Sequence, residues 1–270
     1  MPDRMRRIGG LAEIAERYDA FVIDQFGVLH DGAATYPGAV GALEMLREAG
    51  KRIALVSNSG KRSTPNVERL ARLGIGAHLF DAFVSSGEVA HAMIAGGEVA
   101  VERGARVMVV ARGDGAAALD GLGLVPTDDA ARADLVVIAG SEAERVPIET
   151  TAAALEPAAR RGVRALCTNP DLHMLAAGGI HPGAGAIARR YEAAGGPVTW
   201  IGKPHAAIYE HAARALGGLD WSRTLGIGDS AEHDVAGVKG MGGDALLVET
   251  GVAGEGDGPA ADWVMAGLRA

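Results

Sequence analysis

Residues 21–32 read Phe-Val-Ile-Asp-Gln-Phe-Gly-Val-Leu-His-Asp-Gly, and this stretch decides the fold. Its apolar, β-branched beginning predicts a buried parallel strand. The strand ends at Asp24, just before a turn that contains Gly27. A carboxylate at such a strand end can act as a nucleophile, although it can also serve as a turn former or helix cap.

Similar apolar runs recur along the chain and alternate with Ala/Leu/Glu/Arg stretches of helical spacing, which predicts an α/β fold with a mostly parallel sheet. A short helix is predicted near Ala261–Leu268. The predicted strands after the first are Arg52–Asn58, Arg106–Val110, Asp134–Ala139, Val163–Thr168, Pro197–Gly202, Thr224–Gly228 and Ala245–Glu249.

Four of these strands end in polar, turn-forming residues. The tips are Asp24–Gly27, Ser57–Gly60, Gly202–His205 and Gly228–Ser230. Ligands of open α/β sheets bind outside the carboxyl ends of the strands, so the four tips are candidates for one site. Taken singly, each tip has an ordinary alternative, such as a helix cap at the serines or a solvated lysine.

Two of the tips precede residue 60 and two follow residue 200, and the segment between has its own strand–helix alternation. We therefore expect a core domain formed by 1–85 and 186–270, with an inserted α/β domain at 86–185. The pair Asp229 and Asp234 suits a hard cation such as Mg²⁺, which prefers a few carboxylates, water and phosphate oxygens.

The amino-acid composition and net charge indicate which kinds of molecule the protein is not expected to bind. The 270 residues are 48% hydrophobic and carry a net charge of −8, so nucleic acid and acidic membranes are not expected partners. Cys167 is the single cysteine, and no apolar run of spanning length follows the charged start, so we expect a soluble, cytoplasmic protein.

Taken together, the tips resemble the four motifs of the haloacid-dehalogenase-like (HAD) hydrolase superfamily. The class IIA branch, with its NagD-like and p-nitrophenylphosphatase-like sugar phosphatases, is the most similar. The resemblance covers nearly the whole chain and rests on 24–32, 57–59, 168–171, 202–205 and 228–230. It implies a Rossmann-like core, an inserted α/β cap of the C2 type, Mg²⁺ and a small phosphorylated metabolite as substrate. A homodimer is an open alternative at the level of family analogy.

The resemblance also implies roles for individual residues. Asp24 would be the nucleophile, paired with Lys203. The phosphoryl group would be held by Ser57, Asn58, Ser59 and Lys203, and the metal by Asp24, the Phe26 carbonyl, Asp229 and Asp234. Asn169 and Asp171 match a motif of unassigned role.

One position departs from the family pattern. Phosphatases of this superfamily carry a second Asp two residues after the nucleophile as general acid and base, and this chain has Phe26 there. His30 is a candidate substitute, because an imidazole titrates near neutrality, and His173, Glu142 and His181 are others. The alternative reading is a catalytically weak or inactive protein that binds a phosphorylated ligand or a partner protein.

Overall fold

The computed structural model describes residues 5–176, 178–251 and 258–270. The strands are β1 (Arg6–Arg7), β2 (Ala20–Asp24), β3 (Arg52–Ser57), β4 (Ala82–Ser85), β5 (Arg106–Val110), β6 (Val125–Pro126), β7 (Leu135–Ile138), β8 (Ala165–Cys167), β9 (His173–Ala176), β10 (Gly179–Pro182), β11 (Val198–Trp200), β12 (Thr224–Gly228), β13 (Asp244–Val248) and β14 (Trp263–Met265).

The α-helices are α1 (Ala39–Glu48), α2 (Ser63–Arg72), α3 (Ser86–Ala95), α4 (Ile148–Arg160), α5 (Ala184–Ala193), α6 (Ala206–Ala215) and α7 (Ala236–Gly240). Short 3₁₀ segments lie at Leu11–Glu13, Ala15–Arg17, Ala77–Leu79, Gly113–Leu119 and Trp221–Arg223, and one π-helical turn lies at Ala231–Val235. The predicted α/β fold is confirmed. None of the helices within the described ranges is long and apolar enough to cross a membrane.

The first compact unit comprises residues 1–57, 64–84 and 203–270. Its seven-stranded sheet has the order β1-β14-β13-β12-β2-β3-β4. The pairings from β1 through β3 are parallel, so the carboxyl ends of β2, β3 and β12 lie side by side at one edge. This edge receives the polar tips that the sequence singled out.

The second unit comprises residues 58–63 and 85–202. Its five-stranded parallel sheet has the order β11-β8-β7-β5-β6, and β9 and β10 form a separate antiparallel hairpin. The unit ends later than the predicted residue 185, because α5 packs on β7 and β8 and because β11 pairs with β8. Segment 58–63 also joins this unit, which the sequence did not indicate.

Each unit has its own apolar core. The first core contains Phe21, Ile23, Leu43, Leu55 and Ile227, contributed by one face of the sheet and by α1. Strands buried on both faces read as continuous apolar runs, which is why they were predictable. The second core is built from β7, β8, α4 and α5.

The predicted helix near Ala261–Leu268 is wrong. Residues Trp263–Met265 form the buried strand β14, which pairs in parallel with β13 and β1. An aromatic and a β-branched residue in succession favour a strand, and the pairing on both sides outweighs the helical propensity of the flanking Ala and Leu.

Candidate active site

A buried ion cluster lies at the carboxyl edge of the first sheet. Lys203 is 4% exposed, and its Nζ donates to Asp24 Oδ1 at 2.6 Å and to Asp234 Oδ1 at 2.7 Å. Asp229 completes the group, since one carboxylate oxygen of Asp24, Asp229 and Asp234 each lies within 4.8 Å of the others. All four residues belong to the first unit.

The local structure of the chain explains how these side chains meet. Asp24 ends β2, and Asp229 directly follows the neighbouring strand β12. Asp234 lies about one turn later, in a π-helical segment where the side chain of Ser230 accepts from the N–H of His233. Lys203 lies between β11 and α6, and its peptide bond to Pro204 is cis. Three separate stretches of sequence therefore supply the cluster.

Two glycines leave room for the Asp229 carboxylate. Gly27 has φ +83°, and a methyl group there would overlap this carboxylate. A methyl group at Gly251 would overlap it as well. Thr250 holds the same turn, because its Oγ1 donates to the carbonyl of Gly27 at 2.5 Å. The Asp229 carboxylate thus lies in a cradle that any larger residue at these positions would fill.

The cluster concentrates negative charge. The buried carboxylates of Asp24, Asp229 and Asp234 lie close together, and the ammonium group of Lys203 pairs with two of them in a poorly solvated place. Burial and the carboxylates of Asp234 and Asp229 together raise the pKa of Asp24, against the opposing effect of Lys203. Burial opposes the charged form of Lys203, but Asp234 and Asp24 still raise its pKa well above the usual value.

The donor set of this cluster fits a divalent metal ion. A dication would offset the charge of the converging carboxylates and keep Asp24 ionised, and carboxylate oxygens are the ligands that Mg²⁺ prefers.

Asp234 was predicted as a metal ligand, and its carboxylate has two hydrogen-bond partners. Its Oδ1 accepts from Lys203, and its Oδ2 accepts from the backbone N–H of Ser230 at 3.1 Å. Asp234 therefore holds the ammonium group in position, and it also lies in the group of carboxylates that could hold a metal ion.

The sequence did not single out Gln25 as functional. Its side chain is buried, and its Nε2 donates to Ser57 Oγ at 2.8 Å. Because Ser57 Oγ accepts this bond, the direction of its own hydroxyl is restricted. The feature of the sequence that could have identified Gln25 is a large polar residue at the end of an otherwise apolar strand.

Asn58 and Ser59 lie in the second unit, as do Asn169 and Asp171. Asn58 Nδ2 donates to Asp171 Oδ1 at 3.0 Å, and the Asp171 N–H donates to Asn169 Oδ1 at 3.0 Å. Ser59 Oγ accepts from the N–H of Lys61 at 3.3 Å. The motif at 169–171 therefore fixes the side chain of Asn58, which gives this motif a physical role.

The structure does not support His30 as a substitute acid. Its side chain is fully buried, its Nδ1 accepts from the Gly32 N–H at 2.9 Å, and its Nε2 lies 3.5 Å from Gln25 Oε1. Burial, followed by Arg69, lowers the pKa of His30 to about 4. A neutral, enclosed imidazole packs the loop and is poorly suited to donate a proton to substrate.

Comparisons with known proteins agree with this geometry. A family profile described as haloacid dehalogenase-like hydrolase matches residues 95–242, and a second profile of the same description matches residues 21–125.

Two characterised relatives cover most of the chain. The 5'-nucleotidase YutF of Bacillus subtilis is 29% identical over 87% of this chain and 88% of its own. An acid sugar phosphatase of Staphylococcus aureus is 30% identical over 88% of both chains.

Solved structures are also similar. A haloacid dehalogenase-like hydrolase from Brucella suis 1330 has a TM-score of 0.83 and 32% identity, over 97% of this chain and 99% of its own. The glycerol phosphate phosphatase Rv1692 of Mycobacterium tuberculosis, in complex with magnesium, has a TM-score of 0.70 and 28% identity, over 88% and 70%.

Proposed function

This chain belongs to the haloacid dehalogenase-like hydrolase family and is a hydrolase of the phosphatase type, and we propose that it cleaves a small organic phosphate through an aspartyl-phosphate intermediate with the help of Mg²⁺. The observation that carries this proposal is the buried cluster of Asp24, Lys203, Asp229 and Asp234. Groups with strongly perturbed pKa values that converge at a strand edge are typical of active sites.

Asp24 is the proposed nucleophile. Its carboxylate attacks phosphorus, and the ammonium group of Lys203, 2.6 Å from Asp24 Oδ1, offsets the negative charge that meets there. Asp234 positions Lys203 by accepting its second hydrogen bond. Ser57, with its hydroxyl restricted by Gln25, is the proposed donor to the phosphoryl oxygens.

Asp24, Asp229 and the carbonyl of Phe26 are the proposed ligands of Mg²⁺. When bound, the ion supplies charge neutralisation for the phosphoryl oxygens and keeps the nucleophile ionised. The convergence of buried carboxylates and the raised pKa of Asp24 support this assignment.

The second unit is the proposed selector of substrates. Its own core and sheet make it an independent α/β unit, and Asp171 anchors Asn58 within it. The named activities of the relatives concern nucleotides, sugar phosphates and glycerol phosphate, so we propose a small phosphorylated metabolite of comparable size as substrate.

The test combines turnover with a binding readout. Purified protein is assayed for phosphate release from a broad panel of phosphate esters with Mg²⁺ and with a chelator, alongside the Asp24→Asn variant. We expect Mg²⁺-dependent turnover in the wild type alone, and a Mg²⁺-induced rise in melting temperature that Asp229→Asn abolishes. Turnover no higher than that of Asp24→Asn across the whole panel would refute the proposal.

Phe26 favours one alternative, in which the site binds a phosphorylated ligand or a partner protein without useful turnover. The aromatic ring replaces a group that is worth on the order of 10²–10⁴ in rate. Tight, Mg²⁺-dependent binding of inorganic phosphate without hydrolysis of any ester would favour this alternative.

A further inference from the structure

The first turn of α3 holds segment 58–63, the stretch of chain that directly follows Ser57. Ser85 caps this helix, since its Oγ accepts from the N–H of Glu88 at 3.1 Å. A serine followed three residues later by a glutamate is the pattern of a capping box, in which the glutamate returns to the backbone of the capping residue. In this structure the carboxylate of Glu88 is directed at segment 58–63.

Glu88 accepts three hydrogen bonds from the end of this segment. Arg62 Nη2 donates to Glu88 Oε1, and Arg62 Nε donates to Glu88 Oε2, both at 2.8 Å, which is the two-pronged geometry of a strong ion pair. The N–H of Ser63, the first residue of α2, donates to the same Oε2 at 3.0 Å. Glu88 therefore fixes one side chain and one backbone N–H of two consecutive residues.

Two further contacts fix the beginning of the segment. The N–H of Gly87, also in the first turn of α3, donates to the carbonyl of Ser59 at 3.0 Å. The side chain of Asn58 donates to Asp171 Oδ1 at 3.0 Å. All of these residues belong to the second unit. The segment is thus held at both ends, and Glu88 provides the contacts at the end farther from Ser57.

The pair of Arg62 and Glu88 contributes geometry to this segment and adds no net charge. The bonds from Arg62 and, to a lesser degree, from Ser63 lower the pKa of Glu88 to about 2, against the opposing effect of burial. The carboxylate therefore stays charged at neutral pH and neutralises the guanidinium group. A neutral pair of this kind does not attract phosphate by its charge, so any effect on phosphate binding has to come from the position of the backbone.

Resting on the proposed function, we propose that Glu88 is a positioning residue for phosphate binding. By holding Arg62 and Ser63, it sets the course of segment 58–63 and with it the position of Asn58 and Ser59, which the resemblance of the sequence identifies as phosphate-binding. The sequence around Glu88 does not indicate this role, because a capping box explains a glutamate at that position.

The test measures the affinity for inorganic phosphate by titration calorimetry in the presence of Mg²⁺. KM and kcat are measured in parallel for the ester of the panel that turns over fastest. Glu88→Gln keeps the size of the side chain and removes its charge. Arg62→Lys keeps the positive charge but loses the planar, two-pronged geometry.

Asp81 offers a matched control for Glu88. Its carboxylate likewise accepts from an arginine and from a backbone N–H, namely Arg47 Nη1 at 2.5 Å and the N–H of Ile53 at 2.8 Å. The exposed fractions of the arginine and the carboxylate are similar in the two pairs, at 37% and 34% against 33% and 24%. Ile53 lies near the start of β3, at the opposite end of that strand from Ser57. Asp81→Asn therefore removes equivalent bonds without altering segment 58–63.

We expect Glu88→Gln to raise the dissociation constant of phosphate about tenfold, because hydrogen bonds to a charged group are lost. KM should rise by a similar factor with a smaller change in kcat, since the phosphoryl group is held in the ground state as well as in the transition state. Arg62→Lys should weaken phosphate binding about threefold. Asp81→Asn should leave phosphate affinity unchanged, although it should lower the melting temperature about as much as Glu88→Gln does.

Loss of a negative charge favours the binding of an anion on electrostatic grounds, so weaker binding in Glu88→Gln would report geometry. Equal phosphate affinity in Glu88→Gln and Asp81→Asn would overturn the inference. Tighter binding in Glu88→Gln would also overturn it, because Arg62 would then be an anion ligand that Glu88 masks. If Glu88→Gln does not fold, Arg62→Lys decides: weaker binding supports the inference, and unchanged binding overturns it. The proposed function fails separately, if wild-type turnover does not exceed that of Asp24→Asn.

Discussion

Replacing Lys203 with Met should destabilise the first unit far more than removal of another lysine that forms an equally short ion pair. Lys203 is 4% exposed and satisfies Asp24 and Asp234 at 2.6 and 2.7 Å. Methionine has a similar volume, so the main effect is to leave two buried carboxylates without their cation. Loss of one partner of a buried pair costs about 3–5 kcal/mol.

Lys239 provides the matched control. Its Nζ lies 2.6 Å from Asp262 Oδ1, yet both side chains are about one-third exposed. Solvent screens such a pair, so Lys239→Met should cost about 0–1 kcal/mol. The assay is urea unfolding of metal-free protein, followed by circular dichroism at neutral pH.

The stability lost in Lys203→Met should depend on pH. Protonation neutralises an unpaired carboxylate, so the loss in free energy of unfolding should shrink as the pH falls from about 8 to about 5. Adding Asp234→Asn to that variant should restore part of the stability, because one unpaired charge is removed. Equal losses for Lys203→Met and Lys239→Met, or a loss independent of pH, would refute the reasoning.

Three further predictions concern groups around the same site. Burial is the main cause that lowers the pKa of His30 from 6.5 to about 4, so the unfolded chain binds the proton more readily than the folded chain. The free energy of unfolding should therefore fall as the pH falls from about 6.5 to about 4. His30→Gln should flatten this loss when unfolding is measured across that range. Gln25→Leu removes the donor to Ser57 Oγ and should weaken inhibition by inorganic phosphate about five- to tenfold with little change in melting temperature, whereas unchanged inhibition would argue against a positioning role. Gly27→Ala should raise the Mg²⁺ concentration needed for thermal stabilisation, while Gly50→Ala, also at positive φ but with open space around it, should lower stability without changing that concentration.

The sequence predicts four strands of the seven-stranded sheet and four of the five-stranded sheet, and it misses the very short strands. Strands such as β2 and β12 are buried on both faces and read as apolar runs, so their residues identify them. Strand β14 was predicted as a helix, because its three residues are stabilised by pairing with two neighbours that local sequence does not reveal.

The same distinction holds for the site. Asp24, Lys203 and Asp229 could be predicted, because each follows an apolar strand and together they match a known motif order. The orientation of Asp234 toward Lys203, the bond from Gln25 to Ser57 and the enclosure of His30 could not. These features depend on which way a side chain turns after the backbone is fixed, and residue spacing carries no information about that.

The chain contributes segment 58–63 to the second unit, and this has a consequence for how such proteins can exchange parts. A methyl group at Gly87 would overlap the carbonyl of Gly60, and one at Gly60 would crowd Ala139, so this short segment is fitted to the second unit it belongs to. A chimaera that transfers only 85–202 to another protein lacks the contacts that 58–63 makes with the rest of this unit. Successful recombination, in the laboratory or in evolution, therefore has to transfer 58–63 as a second, much shorter segment.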